Sequence, residues 1–378
     1  MATVVEYCPN CGRTFEAVFG AGCPHCAAQP PAALGEQTAQ PAPEVAATAT
    51  QSGAPWGAGT GLLTWFASVA LIFGAQFIAL IVYIFWQVAK TGSVPKTLKL
   101  DWLLAILSIV LTFPAHLLTL AFCWLIVTKG GQRPFWQTLG WRWHPQFKWV
   151  HATALAFLMM GVALVFSKFL PHRETDLEMM LKLGASVRIL VALLAVLTAP
   201  LVEEIVYRGV LFLGLRRGTI RQACIVFGAV LGLVAAAWYL HPLSLEGKKL
   251  LLSGLIGTGV GVIVWYVSEL ITLRAGARVL GEQKTIQLLS VVDVSLLFAL
   301  VHVPQYWGSW AAISTILLLS VVLTVLRAAT GSILPGVATH LVYNGVQAVV
   351  LVLSQDEALK KQTTETALAL WTQLFGCG

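Results

Sequence analysis

Apolar runs of about 20 residues follow one another along most of this chain, and no other feature narrows its fold so far. A run of that length crosses the roughly 30 Å hydrocarbon layer of a bilayer as one helix. Lipid offers no partner to a free N–H or C=O, so each run must close its backbone hydrogen bonds internally. We place spans near 61–87, 102–128, 149–170, 187–214, 222–241, 249–273, 287–303, 309–328 and 333–355. The run at 287–303 is short and could pair with its neighbour as a re-entrant hairpin, so eight and nine spans both stay open. The expected fold class is therefore all-α and polytopic, with about 8–9 transmembrane helices. Composition agrees: 57% of residues are hydrophobic and 11% charged, against about 25% charged in a soluble domain. The net charge of +7 is not read as a nucleic-acid signal, because most Lys and Arg fall between the runs, at headgroup depth. Basic residues occupy loops of both parities, so the positive-inside rule hardly orients the chain.

Three parts follow from composition: a cysteine-bearing module at 1–27, a linker at 28–59 and a membrane domain at 60–378. The start, MATVVEYCPNCGRTF, lacks a basic region followed by an apolar stretch and does not read as a cleaved signal peptide. The linker is rich in Ala, Pro, Gln, Thr and Gly and lacks the large apolar residues a core needs. In the module, Cys8 and Cys11 (CPNC) and Cys23 and Cys26 (CPHC) form two C-x₂-C pairs. Four thiolates on two tight turns suit one closed tetrahedral structural Zn²⁺, and a piece this small needs such a staple. The module resembles a zinc ribbon. Reduced thiols place the N-terminus in the cytoplasm, and the expected location is the cell's inner membrane. Segments 171–186 and the tail after Gln355 are amphipathic and expected at an interface.

One span carries charge. TAPLVEEIVYRGVLF, Thr198 to Phe212, holds Glu203, Glu204 and Arg208 inside an apolar run. A charge at mid-membrane costs roughly 2.5–3.5 kcal/mol on insertion scales, so something must offset three. Glu204 and Arg208 are four apart, share a helix face and can neutralise each other. Glu203 is rotated about 100° away and remains free for chemistry. Pro200, one turn earlier, is a place for a kink. Two further polar sets lie in apolar spans. FALVHVP puts Phe298 and His302 on one face, and THLVYNG does the same for His340 and Asn344. Gathered in one wet cavity, these groups would relieve each other's desolvation. They would also supply a base for water and donors for an oxyanion.

E-E-x-x-x-R, F-x-x-x-H and H-x-x-x-N, in this order on separate spans, resemble the CPBP intramembrane proteases, also called the CaaX-protease-and-bacteriocin-processing or Abi family. The resemblance covers roughly 187–355. It implies an endopeptidase with its site inside the membrane. Glu203 would activate water, Glu204 and Arg208 would hold the site together, and His302 would assist at the water or metal position. His340 and Asn344 would stabilise the oxyanion. Glu203, His302 and His340 could also ligate a catalytic Zn²⁺. The implied partners are a peptide or membrane-anchored protein substrate and the lipid bilayer, without nucleic acid. In this family the F-x-x-x-H span usually follows the first motif directly, whereas here about 90 residues intervene between Arg208 and His302. His241, at the end of VAAAWYLH, is therefore a rival that lacks the aromatic, and 222–286 reads as an insertion. A rival function is a non-proteolytic membrane scaffold or regulator, recruiting partners through the ribbon. Proton-coupled transport is a third class. His116, Glu269 and Asp293 are read as local structure, with Glu269 near Arg274 and Asp293 as a helix cap.

Overall fold

In the computed structural model, residues 4–7, 14–17, 55–95, 100–240 and 247–353 are described. The chain divides into two compact units, Met1–Gln51 and Ser52–Gly378. In the first, strands β1 (Val4–Tyr7) and β2 (Thr14–Ala17) pair antiparallel, with Val4 opposite Ala17 and Tyr7 opposite Thr14. Cys8, Cys11, Cys23 and Cys26 lie outside the described residues, as do His241 and the tail after Leu353.

The second unit is a helical bundle. Its elements are α1 (Ala58–Thr91), α2 (Trp102–Thr128), the short α3 (Phe135–Leu139), α4 (Trp149–Phe169), the short α5 (Asp176–Leu181) and α6 (Ala185–Leu215). They continue as α7 (Ile220–Leu240), α8 (Gly247–Leu280), α9 (Glu282–His302), α10 (Trp310–Thr330) and α11 (Leu334–Leu353). Among the described residues, nine of these helices are long and apolar enough to cross a membrane. The chain is an integral membrane protein. The span at 287–303 begins five residues earlier than its apolar run, at Glu282, and is a full helix of 21 residues rather than half of a hairpin. The polar opening turn hid its length.

Local chemistry sets the helix ends. Asp101 caps α2 by accepting from the Leu104 N–H, and Ser309 caps α10 through Ala312. Segment 171–186 contains α5, started by a reciprocal Thr175–Glu178 capping box. Large apolar side chains such as Phe66, Phe77, Phe85 and Leu164 point outward, more than half exposed, as lipid contact requires. The buried core lies where α6 meets α1, α2 and α9, around Tyr207, Phe212, Val294 and Phe298.

α6 is not a uniform helix. It widens into π turns at Leu194–Thr198 and Glu204–Leu211. π turns are rare and favour functional sites. In the first, the Ala199 N–H bonds Leu194 O. The next carbonyl, of Ala195, would then look to residue 200, which is Pro200 and has no N–H. That carbonyl is free to be taken from another helix. Glu203 closes the α-helical stretch between the two π turns.

Candidate active site

Arg208 is fully buried and almost fully engaged. Its Nη1 donates to Glu204 Oε1 at 2.9 Å, its Nη2 to the Ser320 hydroxyl at 2.7 Å and carbonyl at 3.1 Å, and its Nε to Thr324 Oγ1 at 3.2 Å. The guanidinium also stacks over the Phe298 ring, 4.7 Å from its centroid. This is what offsets two of the three charges: an ion pair whose guanidinium is hydrogen-bonded through all three nitrogens inside a sealed pocket. Phe298 thereby has a role beyond bulk, since its ring also lies 4.7 Å from the His302 ring and 4.9 Å from Tyr207. Arg327, likewise buried, donates through Nε to Arg208 O and through Nη2 to Leu139 O, tying α10 to α6 and α3. Gly140, after α3, takes φ +71°, and a Cβ there would sit 2.9 Å from Gly331 O, so only glycine allows this close approach.

Glu204 has a second partner. His340 of α11 donates its Nδ1–H to Glu204 Oε1 at 3.0 Å. The other oxygen, Oε2, is buried without a hydrogen-bond partner among the described residues and faces Gly336, where a Cβ would stand 2.7 Å away. Gly336 thus lets the α11 backbone close over the carboxylate. With Nδ1 committed, the His340 ring turns Nε2 toward Glu203, 3.7 Å from its Oε2. His302 is set the same way, with Nδ1–H donating to Phe298 O at 2.7 Å and Nε2 left open. Asn344 donates from Nδ2 to the orphaned Ala195 carbonyl at 3.0 Å.

Glu203 is the carboxylate that stays open, with its side chain 21% exposed. It stands where two cavities meet. One, of about 300 Å³, runs along α1 and α2 and is lined mainly by apolar residues such as Val69, Ile72, Phe73 and Val301. The other, of about 530 Å³, runs along α4 and α10 past His172, Glu178, Ser309 and Thr315. Glu203, His302, Tyr306 and Asn344 line both, and His340 lines the second. Glu203, Glu204, Arg208, His302, His340 and Asn344 are thus brought together from α6, α9 and α11. His302 lines both cavities, and its rival His241 lies outside the described residues. Among the described residues, no three His, Cys, Asp or Glu side chains are grouped so as to hold a metal ion. Glu203, His302 and His340 do not form a zinc ligand set as they stand.

Two cavity residues went unrecognised in the sequence. His116 of α2, read above as local structure, is buried and lines the first cavity, its Nδ1 2.9 Å from Thr198 Oγ1. Tyr306 lies in the turn after α9, where an aromatic in an apolar chain carries no signal. Two bland readings also change. Glu269 reaches Arg221 at 4.0 Å. Asp293 caps nothing: it is buried in mid-α9, with both oxygens lacking hydrogen-bond partners among the described residues.

Residues 185–275 and 274–346 match the family model described as type II CAAX prenyl endopeptidase Rce1-like. Over residues 185–346 the membrane core is similar to that family. The Rce1-like match holds all three motifs and bears out the resemblance to the CPBP proteases. It also runs through α7 and α8, so those helices are not outside the family's model, and the break between its two stretches falls at 274–275. Searches of curated proteins and of solved structures find no match to the chain.

Proposed function

We propose that the Rce1-like core hydrolyses a peptide bond of a membrane-delivered peptide or protein, with Glu203 as the general base. One observation carries this reading. Of two adjacent glutamates, Glu204 is sealed by Arg208 and His340, while Glu203 opens to both cavities beside two imidazoles with open Nε2 atoms. A water between Glu203 and His302 Nε2 gives its proton to Glu203 as its oxygen bonds to the substrate carbonyl carbon. The carbonyl π pair moves onto oxygen. When that pair returns, the C–N bond breaks and Glu203 passes its proton to the leaving amine. Asn344 spends one Nδ2 hydrogen on Ala195 O and keeps one for the oxyanion. His340 holds Glu204 through Nδ1–H and turns Nε2 toward Glu203, where a doubly protonated ring would add a second donor for the oxyanion.

The two cavities suit a substrate with an apolar segment on one side of the scissile bond and a polar one on the other. The family's name assigns prenylated CAAX ends to its members, and such ends combine both features. The test uses the full chain in liposomes against quenched fluorogenic peptides, with and without a prenylated cysteine four residues from the C-terminus. Wild type should cleave, and Glu203→Gln should lose at least about 10²-fold in kcat, within the usual range for general-base catalysis, with unchanged melting. A Glu203→Gln chain that cleaves like wild type would overturn the reading and favour the scaffold.

The structural zinc belongs to the same proposal, with the N-terminal module in the cytoplasm and the core in the inner membrane. Metal analysis should find one Zn²⁺ per chain, absent after Cys8→Ser with Cys23→Ser. Equal zinc in both would remove the ribbon.

A further inference from the structure

The site has a shortage of donors at the moment of attack. His340 gives its only N–H in the neutral ring to Glu204, leaving Nε2 as a lone pair. Asn344 has already given one of two hydrogens to Ala195 O. Two donors aimed at an oxyanion are the usual need, and each is worth about 10²–10³ in kcat. Tyr306 is a donor that nothing else uses. Like Glu203, His302 and Asn344, it lines both cavities. Among the described residues its hydroxyl has no hydrogen-bond partner, and its oxygen is not among those sealed inside the protein.

Its backbone is held in place. Tyr306 N–H bonds His302 O at 3.1 Å, and Ser309 N–H bonds Tyr306 O at 3.0 Å. The turn is then pinned to the 171–173 segment: Arg173 N–H to Gly308 O, Trp310 N–H to Pro171 O, and His172 Nδ1 at 2.9 Å from Ser309 Oγ. A donor on so tethered a turn needs little reorganisation when charge develops. Burial, then Tyr343, Glu203 and Glu178, push the Tyr306 phenol up to about 12, so it keeps its proton at neutral pH.

We infer that Tyr306 is a further catalytic residue, donating its O–H to the carbonyl oxygen that becomes the oxyanion. The assignment deepens the hydrolytic reading and rests on it. Tyr306 transfers no proton; its bond strengthens as the π pair moves onto oxygen and relaxes when the amine leaves.

The test compares wild type, Tyr306→Phe and Glu203→Gln in liposomes on the peptide set above. Tyr306→Phe should lower kcat about 10²–10³-fold with KM and melting temperature little changed. Binding of a peptide aldehyde, whose hydrate mimics the tetrahedral intermediate, should weaken by a similar factor. Binding of the uncleaved peptide to Glu203→Gln should not change when Tyr306→Phe is added. If Glu203→Gln is inactive while Tyr306→Phe matches wild type in kcat and aldehyde binding, this assignment fails and the hydrolytic reading stands. If KM rises with kcat unchanged, Tyr306 is a binding residue and the assignment also fails. If wild type cleaves none of the peptides, the hydrolytic reading and this assignment fall together.

Discussion

Two helix contacts within the membrane-spanning bundle are built on opposite physics. Between α7 and α8 the surfaces are bare backbone: a Cβ on Gly228 would lie 2.4 Å from Gly261 O, and one on Gly232 would lie 2.4 Å from Gly257 O. Small residues let the helices touch, and dispersion does the rest. Between α6 and α11 the contact is ionic, with Glu204 bonded to Arg208 on one side and His340 on the other. It too needs a glycine, Gly336, but only so that the backbone can close over a carboxylate. The first contact is limited by size and indifferent to charge. The second is governed by charge, because any group left unpaired there has no water to turn to. Charge-held contacts therefore fix the position of chemistry, and size-held contacts fix only which helices lie side by side.

The largest break in that comparison should come from Arg208→Met. It leaves Glu204 buried with His340 alone, and removing one member of a buried pair costs about 3–5 kcal/mol. That is a large share of the total stability of a typical domain, about 5–15 kcal/mol. We expect little folded protein on purification and a lowered melting temperature. Glu204→Gln added to Arg208→Met should restore part of the loss, since it removes the stranded charge. A single Arg208→Met chain as stable as wild type would show that the ionic contact does not hold α6 in place.

The parts of this architecture governed by length and local spacing were legible in the sequence. Span positions follow from apolar runs, and the Glu204–Arg208 pair follows from a four-residue offset. That Glu203 would be the open carboxylate also followed, from its rotation about the axis. Contacts across the bundle were not legible. The His340–Glu204 bond joins residues 136 apart, and Asn344 was read as an oxyanion donor although half its amide serves Ala195. The π turns leave no clear mark, although Pro200 explains afterwards why the Ala195 carbonyl needs an outside donor. Tyr306 and His116 are invisible for a simpler reason. Their type and spacing match a packing residue, and only the meeting of helices puts them in the cavities.

Gly232→Leu should have the smallest effect and discriminates the two contacts most finely. Its side chain would drive against Gly257 O, so α7 and α8 must separate. Overpacking of this kind costs about 1–3 kcal/mol, and here the strain can relax outward, because α8 faces lipid with Leu251, Leu255 and Ile263 well exposed. The α6–α9–α11 site does not share that interface. We expect a modest fall in resistance to SDS unfolding, with Glu203-dependent cleavage retained. The opposite pattern, unchanged unfolding with cleavage lost, would mean that α7 and α8 help position His302 through α9, against which α7 packs. The glycine contact would then belong to the machinery of the site, and the division between size-held and charge-held helices would not hold in this molecule.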